Sequence, residues 1–127
     1  IFEKIRDKEA PANIVFRDEY VTAFTVLYPD TPVHILIIPN KKIESMNEID
    51  DEDSIYLSKI LLCAADLAEK FNIADSGYRL INNCNKDSGQ EIEYLHFHLV
   101  GGCKLGKMLS LPQESREFMK SLKFNNF

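Results

Sequence analysis

The chain has 127 residues, enough for one domain with a core of its own. With 45% hydrophobic and 28% charged residues it reads as an ordinary globular protein, and a net charge of −5 excludes a broad nucleic-acid footprint. A small phosphate ligand held by a local cluster stays compatible with that charge.

No repeat, low-complexity tract or Gly/Ser-rich linker divides the sequence, so residues 1–127 are taken as a single domain. IFEKIRDK places Ile1, Phe2 and Ile5 on one face of a short N-terminal helix, which Pro11 is expected to end. NIVFRDEYVTAFTVLY alternates around Arg17–Asp18 and predicts two strands joined by a tight turn. YPDTP is a loop. VHILIIPN, apolar and β-branched, predicts a central covered strand.

The acidic tract ending in DDEDS is expected to cap the longest helix, about Ser54 to Phe71. Its apolar residues (Ile55, Leu57, Ile60, Leu61, Leu62, Leu67, Phe71) exceed one stripe, which suggests burial on two sides, the second against another subunit. GYRLINN and EYLHFHLVG predict a fourth and a fifth strand around the loop CNKDSGQ. LPQESREFMKSLKF predicts a C-terminal helix from about Pro112, with Phe118, Met119 and Leu122 facing inward. The order predicts an α+β domain on a mainly antiparallel sheet.

Cys63, Cys84 and Cys103 are odd in number and form no C-x-x-C pair, which suits reduced thiols. No apolar run reaches transmembrane length and no signal peptide is read, so the expected location is the cytoplasm, away from membranes.

The chemistry concentrates in GQEIEYLHFHLVGG. On a strand, alternate side chains share a face, so Tyr94, His96 and His98 point one way and Leu95, Phe97 and Leu99 the other. The apolar set serves the core. The imidazoles, two residue rises or roughly 6–7 Å apart, can flank a phosphate. A lone strand histidine is more often a hydrogen-bonded structural residue; two in register beside glycine-containing loops is less ordinary. H-x-H with His34 from a neighbouring strand also offers three nitrogen ligands to zinc, and spacing alone does not separate the two chemistries.

IFEKI…PA, PDTPVHILIIPNKK, GYRLINN, SGQE…HFHLVGG and LGKML together resemble, in order and spacing, the Hint branch of the histidine-triad (HIT) family. The likeness covers residues 1–109, leaving 110–127 as helix and tail. It implies a five-stranded antiparallel HIT-like sheet continued across a homodimer. It also implies a purine nucleotide-binding hydrolase that cleaves nucleoside 5′-phosphoramidates or acyl-adenylates through a nucleotidyl-histidine intermediate, with no cofactor and an AMP-like ligand.

Laid on the signature His-φ-His-φ-His-φ-φ, the chain has Tyr94 at the first position, His96 at the nucleophile and His98 at the phosphate and leaving-group contact. His34 supports the site from behind. The resemblance further implies that the Tyr94 carbonyl still orients His96, since a carbonyl survives a side-chain change. Asn83 and the Gly89–Gln90–Glu91 turn would contact phosphate and ribose, the turn through backbone N–H groups. Phe2, Ile5, Phe24 and Leu27 would sandwich the base; without the resemblance they read as core. Two departures weaken the site. Tyr94 carries no positive charge at pH 7, so turnover is expected to fall by about one to three decades. Val26 replaces an aspartate that binds ribose. The competing reading is a nucleotide-binding regulatory module that has lost catalysis.

Overall fold

The computed structural model describes residues 1–122; Lys123 and Phe124, the end of the expected C-terminal helix, lie outside the described residues. Five strands form one antiparallel sheet in the order β1-β2-β3-β5-β4: β1 (Ile14–Arg17), β2 (Val21–Thr25), β3 (Val33–Pro39), β4 (Tyr78–Asn82) and β5 (Phe97–Gly101). Helices α1 (Phe2–Arg6), α2 (Ser54–Lys70) and α3 (Gln113–Ser121) complete the α+β architecture expected from the sequence.

The sheet's two faces are distinct in composition. One face buries Val21, Ala23, Ile35, Ile37, Leu95, Phe97 and Leu99 against Ile60, Cys63, Ala64, Leu67 and Ala68 of α2. The other packs Phe24, Leu36, Ile38 and Tyr94 beneath Phe2 and Ile5 of α1. Period-two alternation along β3 and the β5 segment produces this division, and it puts both histidines of H-x-H on the α1 side.

Local details depart from expectation for physical reasons. α1 stops at Arg6, well before Pro11, and Lys8 turns the chain at φ 61°. The β1–β2 turn is set by Asp18, whose carboxylate accepts from the N–H groups of Tyr20 and Val21 at 2.8 Å each. The acidic tract does not cap α2 as expected. Asp51–Asp53 form a 3₁₀ turn whose cap is Asp50, and the Asp53 carboxylate instead pairs with Lys41 at 2.6 Å. α2 ends where Asn72 enters the left-handed region at φ 61°, its own N–H on Glu69 O and that of Ile73 on Ala68 O.

β5 is shorter than EYLHFHLVG. The register pairs Ile37 with Phe97, so Leu95 would meet Pro39, which has no N–H for the ladder. The Leu95 N–H bonds to the Ile43 carbonyl instead, and Glu93–His96 lie outside the strand. At the other end, Gly102 (φ 92°) passes so close to Pro32 that a Cβ would lie 2.9 Å from the proline Cβ. This glycine therefore serves packing, not the imidazoles. α3 forms where expected but buries none of its residues: Phe118 is 62% exposed, and Met119 and Leu122 are also exposed. The inward-facing reading of those three is wrong for this chain alone, because an apolar stripe marks a face that packs without saying on what.

Candidate active site

His96 is buried, 7% exposed, where the chain has just left the ladder. Two bonds hold it. Its Nδ1 lies 2.7 Å from the Tyr94 carbonyl, and its own carbonyl accepts from Asn82 Nδ2 at 2.9 Å. A carbonyl only accepts, so Nδ1 carries the proton and Nε2 presents its lone pair. The Phe2 ring stands edge-on to the imidazole at 5.0 Å between centroids.

His98 has the opposite tautomer, and a chain of two bonds determines it. The Asp30 N–H donates to His34 Nδ1 at 3.1 Å, so the neutral His34 ring carries its proton on Nε2. That nitrogen lies 2.9 Å from His98 Nδ1 and donates to it. His98 must then bear its proton on Nε2. The two rings of H-x-H thus offer a lone pair and an N–H side by side, 5.2 Å apart between centroids.

Burial pushes the His98 imidazole down to about 4, with smaller contributions from His96 and His34; burial also lowers His34, against the opposing pull of Asp30. Desolvation disfavours the charged form, so both rings are neutral near pH 7. His34 commits both nitrogens to this chain, so the three imidazoles do not make the zinc ligand set that spacing left open.

Tyr94 shares the face of His96 and His98, as alternation predicts, but its side chain points away from them. It is buried and donates its hydroxyl to the Pro39 carbonyl at 2.5 Å. Burial raises the phenol above its ordinary range, so it stays protonated.

The imidazoles line a cleft of about 250 Å³ with Phe2, Leu36, Asn83, Gly89, Glu91 and Ile92. Through Phe2 and Leu36 it adjoins an apolar cleft of about 450 Å³, which also takes in Ile5, Phe24, Val26 and Leu27. All four residues expected around a base line this second cleft, Leu27 on its open rim at 83% exposure. Its polar side chains are Asn13 and Thr25.

The phosphate turn is less open than expected. The Gly89 N–H bonds to Lys86 O and the Gln90 N–H to Asn85 O, because a 3₁₀ turn over Lys86–Ser88 closes on itself. The Gln90 amide staples the loop, accepting from the Asn85 N–H and donating to Glu44 O and Ile92 O. Those two residues shape the loop rather than offer donors to an anion. Asn83 and Glu91 do face the cleft. Asn82 and Arg6 were missed by sequence reading; Asn82 carries no signal beyond its place in a strand, and Arg6 reads as a surface charge.

Two imidazoles with opposite tautomers stand beside an apolar cleft on a five-stranded antiparallel sheet, and a family shares that fold. Residues 7–105 match the HIT domain model, and the chain belongs to the HIT family. The purine nucleoside phosphoramidase of Escherichia coli (strain K12) is 46% identical over 110 residues, 87% of this chain and 92% of that protein. A HIT family hydrolase from Legionella pneumophila Philadelphia 1 superposes with a TM-score of 0.82 at 42% identity, covering 84% of this chain and 95% of that one. A histidine triad protein from Clostridium difficile gives 0.81 at 38% identity, covering 84% and 92%.

Proposed function

We propose that this protein is a purine nucleotide-binding hydrolase that cleaves nucleoside 5′-phosphoramidates or acyl-adenylates. The observation that carries the reading is the 2.7 Å bond from His96 Nδ1 to the Tyr94 carbonyl, which leaves Nε2 as the ring nitrogen available to attack. His96 Nε2 attacks the α-phosphorus, forming an N–P bond as the bond to the leaving nitrogen or oxygen breaks. A departing amine takes its proton from solvent. The positive charge that develops on the His96 ring is held by the same Tyr94 carbonyl. His98 Nε2–H donates to the phosphoryl oxygens, and the His34 relay keeps that proton in place. Water then opens the N–P bond, releases the nucleoside monophosphate and restores His96. No step needs a metal or cofactor.

The apolar cleft takes the purine between Phe2, Ile5, Phe24 and Leu27, with Asn83 near ribose and phosphate. Val26 accepts no hydrogen bond from ribose, so sugar recognition is weak. Tyr94 brings no third imidazole to the phosphate, and turnover is expected about one to three decades below that of a relative with histidine there. Two copies join through the outer flank of α2 and the free edge of β4 into a homodimer. Three free thiols support a reducing, cytoplasmic setting.

The test is release of AMP from adenosine 5′-phosphoramidate. His96→Ala is expected to lower turnover at least about 10³-fold while AMP still binds. A natural protein that binds AMP without turnover would leave a nucleotide-binding module in place of an enzyme.

A further inference from the structure

The phenol at the first triad position has no contact with the reacting nitrogens, yet it is among the most buried side chains of the chain. Its hydroxyl donates to Pro39 O, at the end of β3, and receives a looser 3.4 Å contact from Arg6 Nη1. The same Arg6 nitrogen reaches the Asn40 carbonyl at 3.2 Å, and its guanidinium carbon stands 6.0 Å from the Tyr94 ring centroid. Arg6 is the last residue of α1.

α1 has five residues and no side-chain N-cap, far too short to persist unaided. Yet it carries Phe2, which packs edge-on to both Tyr94 (6.2 Å) and His96 (5.0 Å) and walls both clefts. Apart from the packing of Phe2 and Ile5, its attachments are Arg6 to Tyr94 and Asn40, Arg17 to the Arg6 carbonyl, and an exposed Glu3–Lys42 pair. Arg6 makes two part-buried polar anchors, to the Asn40 carbonyl and to the Tyr94 hydroxyl, and the hydroxyl is in turn held by a buried bond to Pro39 O.

We infer that Tyr94 is a positioning residue: its hydroxyl ties α1 to the end of β3, and through Phe2 it holds the wall of the nucleotide cleft against His96. The inference rests on the reading of that cleft as the nucleotide site. Because the hydroxyl is committed to Pro39 and Arg6, it acts on binding and not on bond-making.

Tyr94→Phe removes the tie and keeps the ring; Arg6→Gln cuts its other end at a part-buried side chain outside the sheet. Three quantities are read for each: KM and kcat on adenosine 5′-phosphoramidate, AMP affinity by calorimetry, and hydrogen exchange at the Ile5 and Asp7 amides, which close the α1 turn. Each variant is expected to raise KM and the AMP Kd about 3–10-fold, the scale of one hydrogen bond, with kcat within about two-fold and faster exchange in α1. The double variant should go little beyond the worse single one. Unchanged KM, Kd and exchange would overturn the tie, and so would a fall in kcat with KM unchanged. Absence of turnover in the natural protein would sink the hydrolase reading alone, since AMP affinity and exchange still decide the tie.

Discussion

At the scale of the residue, the site works by assigning different tautomers to chemically identical side chains. His96 is fixed by a carbonyl that only accepts, His98 by a relay that starts at a backbone N–H. The relay carries a cost at low pH. His98 stays neutral in the folded chain down to about 4, whereas in the unfolded chain it binds a proton near 6.5. Between those values the unfolded state holds more protons, so stability is full above about pH 6.5 and falls as pH drops toward 4. The lowered His34 acts in the same direction. Thermal melts at pH 7.5, 6 and 5 should show a falling Tm that flattens in His98→Asn; parallel curves for the two proteins would contradict this assignment. The alternation of H-x-H was legible in the sequence because strand periodicity is local. The His96 tautomer follows from a carbonyl two residues away; that of His98 was not legible, since it depends on a group 64 residues away along the chain.

Elements were legible to the extent that their packing partner is implied by their own pattern. α2 was found nearly to the residue, because an apolar surplus over 17 positions survives any detail of its ends. Its sheet-facing side is where stability resides. Ile60 is fully buried in the α2–sheet core, and Ile60→Ala is expected to cost about 2–5 kcal/mol in urea unfolding. A cost under about 1 kcal/mol would mean that the core collapses around the gap. Elements whose ends are set by distant residues were read less well. β5 loses four residues where Pro39 lacks an N–H, and the loop over Lys86–Gln90 closes on itself through Lys86 and Asn85. α3 shows the other failure: its amphipathic stripe is real, but Phe118, Met119 and Leu122 find no cover among the described residues.

For the whole molecule, the surplus on α2 bears on assembly. Ile55, Leu61 and Leu62 are exposed, Leu62 at 60%, and β4 ends the sheet with unpaired backbone and an exposed Tyr78. An uncovered sheet edge and an exposed apolar helix flank are the kinds of surface through which the proposed homodimer would form. Sedimentation velocity is expected to give a dimer, and Leu62→Glu a monomer with its secondary structure intact. A natural protein that sediments as a monomer at tens of micromolar would refute the proposed homodimer.

The sequence by itself determined the class of fold, the two-faced sheet and the pairing of His96 with His98, because hydrophobic periodicity and strand alternation act over a few neighbouring residues. It also marked Tyr94 and Val26 as departures from the pattern the resemblance implies. Only the tertiary structure shows what the Tyr94 hydroxyl bonds to. The partner of the phenol, the proton on His98 and the closure of the Lys86–Gln90 loop depend on Pro39, Arg6, Asp30 and Lys86, groups that folding brings into place.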